Sequence, residues 1–295
     1  MAIIKKNEEL PERNVIVLLY GMPGCGKTSA AVASKNALLI DTDRGADRAV
    51  SRCDTLLVSS WKDIVSEQEA MKDYDTVIVD TAKAALDDFI SDYVISVNPK
   101  LRTNALKRFG QMAEEFKAFV NFLRSNKTDI IFVCHDKETV DGDFIRHAPD
   151  CTGQSKDLLL RISDQVGYVS KINNRRAVSW EPTDNYIGKN VAALPLTMIP
   201  DCTDKAYRTF MDDVISTVKK AITRRMNNLD EYERLVSELR SRLEGCSSVD
   251  EAVSIMNAAK DLPKASKKPF FEEMKRDLES KDIVWVNNKW EQRDQ

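Results

Sequence analysis

Apolar residues in this chain fall into two patterns, short solid runs and longer stripes at helical spacing. Residues 15–20, Val-Ile-Val-Leu-Leu-Tyr, form an unbroken apolar run ended by glycine, which predicts a strand buried on both faces of a parallel sheet. Residues 37–40, 55–58, 76–79 and 129–134 repeat the pattern in short β-branched or aliphatic form, with helical stretches between them. Strands alternating with helices imply βαβ crossovers, hence an α/β fold with a mostly parallel central sheet flanked by helices. The longest stripe, over residues 104–125, sets Phe109, Met112, Ala113, Phe116, Phe119, Val120 and Leu123 at three- and four-residue steps. That spacing predicts a core-facing helix rather than a cofactor box.

After Gly153 the pattern changes. Residues 165–172 and 177–180 flank Asn173-Asn174-Arg175-Arg176, which predicts a β-hairpin continuing the sheet antiparallel at one edge. From Asp204 the chain reads helical over 207–221 and again over 229–243, the second with heptad-like Leu229, Tyr232, Leu235, Val236, Leu239 and Leu243. A helix pair around 249–259 and 270–278 follows, and residues 283–290 predict a small terminal hairpin. The expected organisation is a core over residues 1–205, a linker helix over 206–228 and a small, mainly helical accessory domain over 229–295, with no internal repeat.

Composition narrows the class without naming a function. The chain of 295 residues, 31% charged and 42% hydrophobic, is long enough for one sizeable core plus an appendage and is neither disordered nor fibrous in character. No apolar run approaches the roughly 20 residues that span a bilayer, and the first residues lack a signal-peptide core, so a cytoplasmic protein without a membrane partner is expected. The six cysteines form no C-x-x-C pair and only two histidines are present, which predicts reduced thiols without zinc. A net charge of −3 gives no global sign of nucleic-acid binding, so any such contact has to come from local loops.

One segment carries specific chemistry. Gly21-Met22-Pro23-Gly24-Cys25-Gly26-Lys27-Thr28, with Ser29 after it, fits the phosphate-binding pattern G-x-x-x-x-G-K-[ST] in full and lies between a buried strand and a helix, the context that pattern requires. Glycines let the backbone wrap so that successive N–H groups face a β-phosphate, and the helix start adds its positive end. Lys27 is placed to reach the β- and γ-phosphates, and Thr28 to offer a hydroxyl to Mg²⁺.

Three further strand ends are candidates for the same site. Asp80 closes the run Thr76-Val77-Ile78-Val79 and has two readings, a carboxylate for the Mg²⁺ shell or a cap on the following helix. Asp41 and Asp43 end another strand, spaced to share one side of an extended chain; one of them faces the γ-phosphate, or both belong to a solvated loop turning on Gly45. His135, after Phe132-Val133-Cys134, is either a donor that senses the γ-phosphate or a structural residue closing a strand.

In this order of motifs the chain resembles RecA-like P-loop ATPases and AAA-family nucleotide-binding proteins, and especially the compact phage proteins of the single-strand-annealing Sak group. The resemblance covers residues 12–200. It implies a RecA-like core that binds ATP with Mg²⁺ and hydrolyses it, with Lys27, Asp43, Asp80 and His135 as catalytic residues, Thr28 and Asp80 at the metal, Asp43 rather than Asp41 activating water, and His135 in the sensor position. It also implies a homo-oligomer in a bacterial or phage-infected cytoplasm, acting in DNA recombination or annealing, beside a single-strand-binding protein.

The residues 98–108 add a local basic footprint, Lys100, Arg102, Lys107 and Arg108 with no acid among them, which reads either as a single-stranded DNA contact or as a solvated helix start. The stretch 137–156 mixes charges and has Arg146 and Lys156 as a second, weaker candidate. RecA-type sites take a cation from a neighbouring subunit; Arg175, Arg176 and Lys189 are candidates for that role, or simply belong to a hairpin surface. A rival function is a nucleotide-dependent switch that docks a protein partner through the C-terminal helices without touching DNA.

Overall fold

The computed structural model describes residues 13–141 and 144–293. Its order of elements is β1 (Ile16–Gly21), α1 (Lys27–Ala31), β2 (Ala37–Asp41), β3 (Asp54–Leu57), α2 (Trp61–Ser66), β4 (Thr76–Asp80), α3 (Ile90–Val97), α4 (Ala105–Ser125), β5 (Asp129–Asp141), β6 (Phe144–Pro149), α5 (Gly153–Ile162), β7 (Gln165–Ile172), β8 (Arg175–Ser179), β9 (Lys189–Asn190), β10 (Thr197–Met198), α6 (Phe210–Glu244), α7 (Val249–Ala258), α8 (Lys264–Glu279), β11 (Ile283–Val286) and β12 (Lys289–Gln292).

β1 to β10 form one sheet in the order β10-β8-β7-β1-β5-β4-β2-β3, with β6 on β5 and β9 on β7. The six strands from β7 to β3 run parallel, and β8 and β10 extend that edge antiparallel. This is the α/β architecture predicted from the apolar runs. The solid runs follow from burial on both sides: Ile16, Leu18 and Tyr20 of β1 pack with Phe116 and Phe119 of α4, while Val17 and Leu19 pack with Ala30 and Ala31 of α1 and with Met211 and Val214 of α6. The α4 stripe buries Met112, Phe116, Phe119, Val120 and Leu123.

The order places β5 between β1 and β4. In register, Gly21 stands beside His135, Val133 beside Asp80, and Asp80 beside Asp41, so the carboxyl ends of four strands meet along one edge. In open parallel sheets that edge is where ligands bind.

Two elements differ from the sequence expectation. β5 runs on to Asp141 and pairs with β6 as an antiparallel hairpin, where a mixed-charge loop was expected; residues 142 and 143 lie outside the described residues. The two helices expected over 207–221 and 229–243 are the single α6, because residues 222–228 hold neither Gly nor Pro to end it. The Leu229 side chain lies outside the described residues.

The chain divides into two compact units between Ile222 and Thr223. The smaller has its own core, in which Leu239 and Leu243 pack with Ile255 of α7, Phe270, Met274 and Leu278 of α8, and Ile283 and Trp290 of the β11–β12 hairpin. No helix among the described residues is long and apolar enough to cross a membrane.

Candidate nucleotide site

β1 hands the chain to the glycine-rich loop at Gly21, where a Cβ would lie 2.2 Å from the Val169 carbonyl oxygen of β7; only glycine lets the loop leave the sheet there. Gly24 and Gly26 take left-handed backbone, φ 74° and 93°. The loop closes on the Met22 carbonyl, which accepts from the Cys25 thiol at 2.8 Å and from Lys27 Nζ at 2.9 Å. Cys25 is thereby turned inward, and burial pushes its thiol pKa up. Pro23, Gly24, Gly26, Lys27, Thr28 and Ser29 line a cavity of about 300 Å³, together with Asp43, Gly45, Val50, Asp80, His135 and Arg176. Of the residues expected at the loop, Gly21, Met22 and Cys25 shape the turn rather than the cavity wall.

Asp80 ends β4 with 8% exposure, and the Thr28 hydroxyl donates to its Oδ2 at 2.5 Å. Burial above all, and then the nearby Asp43 and Asp41, raise the Asp80 pKa to about 6, against the Thr28 hydrogen bond and the charge of Lys27. A buried carboxylate at the edge of ionisation, next to a hydroxyl, is a hard oxygen donor pair that fits Mg²⁺. When bound, that ion supplies charge neutralisation on phosphate oxygens.

The two acids after β2 part company. Asp41, 2% exposed, accepts hydrogen bonds from the Gly45 and Ala46 amides, each at 3.0 Å, and so closes the turn after the strand. Asp43 lines the cavity. The strand ends at Asp41 and the chain bends at Thr42, Asp43 and Arg44, so it is no longer extended where a shared side was expected. Thr42, which the sequence did not single out, ties this turn to β4. Its Oγ1 donates to the Thr81 carbonyl at 3.1 Å and accepts from the Thr81 amide at 2.7 Å, while its own amide donates to the Asp80 carbonyl at 2.8 Å.

His135 faces the same cavity from β5, and its Nδ1 is buried with no hydrogen-bond partner among the described residues. Burial and the charge of Lys27 lower its pKa, so the ring is neutral at neutral pH. An unpartnered buried ring nitrogen beside the loop is what a phosphate oxygen or a water would satisfy.

Residues 13–191 match a protein family described as an AAA domain, a span that takes in the loop and all three further strand ends. The chain belongs to this AAA domain family. Among solved structures, the crystal structure of the RadB recombinase aligns over 57% of this chain and 80% of its own, at 14% identity and a TM-score of 0.36. A search of curated proteins finds no match.

Within the AAA domain, the cations expected to act on a neighbour's site separate, Arg176 standing in the β7–β8 hairpin and Lys189 in β9. Lys189 Nζ donates to the Ser163 carbonyl at 2.5 Å, whereas Arg176 lines the phosphate cavity of its own chain. The turn explains why. Asn173 and Asn174, φ 50° and 60°, make a two-residue turn, so the strand resumes at Arg175 instead of Ala177. Of the basic footprint, Lys100, Arg102 and Lys107 are exposed and in no ion pair among the described residues, whereas Arg108 is half-buried over the Phe109 ring and donates to the Arg102 carbonyl at 3.4 Å; Asn104 Oδ1 caps α4 at the Lys107 amide, 3.1 Å.

Asn126-Lys127-Thr128-Asp129 has the Asn-Lys-x-Asp form of a guanine-reading motif, but it stands at the opposite end of the strands. His135 lies six positions further along β5 than Asp129, about 20 Å of strand. Its groups serve the fold: Asp129 Oδ1 accepts from the Val15 amide at 2.8 Å, and Oδ2 pairs with Lys219 at 2.8 Å.

Proposed function

We propose that this AAA domain binds ATP with Mg²⁺ and hydrolyses it, and that it does so on single-stranded DNA in phage-type recombination or annealing. The observation that carries the nucleotide half is the convergence of Lys27, Thr28, Asp43, Asp80 and His135 on one cavity from four separate strand ends. On this reading the loop amides and Lys27 hold the β- and γ-phosphates, and Thr28 and Asp80 hold Mg²⁺. Asp43 takes the proton of the attacking water, and neutral His135 orients that water or the γ-phosphate.

The DNA half rests on the resemblance to Sak-type phage proteins and on Lys100, Arg102 and Lys107, exposed and in no ion pair among the described residues. Self-assembly along a strand belongs to the same reading. ATP turnover measured with and without Mg²⁺ and single-stranded DNA tests both halves: Mg²⁺-dependent hydrolysis stimulated by DNA, with DNA affinity falling as salt rises, is expected. Hydrolysis indifferent to DNA, with no salt-sensitive binding, would sink the DNA half and return the partner-docking switch. No nucleotide binding would sink both.

A further inference from the structure

Arg176 is the one cavity residue that comes from the β7–β8 hairpin, and the sheet dictates where its side chain goes. β7 pairs with β1 up to Val169 beside Gly21, so the strand runs directly alongside the base of the phosphate loop. The hairpin then sets Lys171 opposite Arg176 and Val169 opposite Val178. Alternation along β8 puts Arg176 on the same face as Val178, which packs in the core beneath α1 with Val17, Ala30 and Ala31. A hydrogen bond from the Ile199 amide to the Arg176 carbonyl, 2.9 Å, fixes that backbone from the other side.

The side chain lies across the loop. A Cβ on Gly26 would stand 2.8 Å from Arg176 Cδ, 3.1 Å from Nε and 3.4 Å from Cζ, so the guanidinium rests against the residue immediately before Lys27. Gly26 is left-handed, φ 93°, and the same absence of a side chain that permits its backbone leaves room for the arginine. Arg176 makes no ion pair or side-chain hydrogen bond among the described residues. Two cations, Lys27 and Arg176, thus share one small cavity with the carboxyl groups of Asp43 and Asp80. Guanidinium N–H groups left unspent beside Lys27 and the loop are donors that match the oxygens of a polyanion.

We propose that Arg176 stabilises the charge that develops on the phosphates during transfer of the γ-phosphoryl group, and that it acts on the nucleotide held by its own chain. This rests on the ATPase reading above. It differs from the expectation of a cation lent by a neighbouring subunit, because every charged group the reaction uses then comes from one polypeptide. Water attacks the γ-phosphorus, the bond to the β–γ bridging oxygen breaks, and ADP leaves with that electron pair while Asp43 receives the water's proton. Arg176 offers its N–H donors to the oxygens gaining charge and transfers no proton.

Steady-state ATP turnover and fluorescent-nucleotide binding of wild type, Arg176→Ala and Arg176→Lys test the assignment. A fall in kcat of about 100-fold or more in Arg176→Ala, with nucleotide affinity weakened less than about 10-fold, is expected, and Arg176→Lys recovers only part because it lacks the planar fork. Mixing Arg176→Ala with Lys27→Ala separates the two geometries. No activity beyond the separate variants supports action within one chain, and regained activity overturns it. Active wild type with unchanged Arg176→Ala overturns this inference alone; inactive wild type overturns the ATPase reading and the inference with it. Should Arg176→Ala fail to fold by circular dichroism, Arg176→Gln keeps the aliphatic stem and carries the same expectations.

Discussion

Replacing Asp80 with Asn should stabilise the protein while removing its proposed activity. The carboxyl sits 8% exposed at the end of β4, and its pKa is raised from 3.8 to about 6. A folded-state pKa above the unfolded one means the folded chain holds the proton more tightly. Stability is therefore gained as pH falls through about 6 toward about 4, and ionised Asp80 is a cost above that window. The difference corresponds to about 3 kcal/mol at neutral pH. Asn keeps an acceptor for the Thr28 hydroxyl and carries no charge to repel Asp43. For a unit of this size, about 3 kcal/mol is a rise of roughly 6–12 °C in Tm.

Thermal unfolding of the nucleotide-free protein, followed by circular dichroism from about pH 8 down to about pH 4.5, reads this directly. The gap between Asp80→Asn and wild type should be widest near pH 8 and close as the wild-type carboxyl takes up its proton. Adding ATP with Mg²⁺ should raise the wild-type Tm and leave the variant nearly unmoved, since the carboxylate proposed to hold the metal is gone. A variant no more stable than wild type at about pH 8, or a gap that does not depend on pH, would refute the argument that a buried ionised carboxylate is being held ready for a cation.

Asp41→Asn and Asp43→Asn should part in the same assays: the first weakens the closure at the Gly45 and Ala46 amides and lowers Tm by a few degrees with turnover reduced only modestly, and the second cuts kcat by about 100-fold. Thr42→Val removes both side-chain hydrogen bonds to Thr81 and should destabilise by about 1–3 kcal/mol in urea unfolding. His135→Ala should lower kcat by about 10- to 100-fold, and the wild-type rate should fall as pH drops below the lowered pKa of His135, a limb absent from the variant. Joint replacement of Lys100, Arg102 and Lys107 by Ala should weaken single-stranded DNA binding and flatten its dependence on salt, with DNA-free ATP turnover unchanged.

The phosphate loop was legible because its chemistry is local: a buried strand, glycines at fixed spacing and Lys27-Thr28 lie within one short stretch, and no distant residue is needed to recognise them. Asp80 and His135 were legible for a related reason, since a solid apolar run followed by a polar residue marks the end of a buried strand. The choice between Asp41 and Asp43 was not, because it turns on the bend from Thr42 to Arg44 and on amides that only the folded turn presents. Nor was the β5–β6 hairpin, whose mixed-charge strands show no two-residue periodicity of apolar positions to read.

What the sequence by itself determined is the strand–loop–helix unit that cradles phosphate and the run of parallel strands around it. The tertiary structure decided which strand ends meet. Inserting β5 between β1 and β4 brings His135 beside Gly21, and pairing β7 with β1 carries Arg176 back over a loop some 150 residues earlier in the chain. Strand order and hairpin register are set by packing across the whole sheet, a non-local balance that no window of the sequence contains.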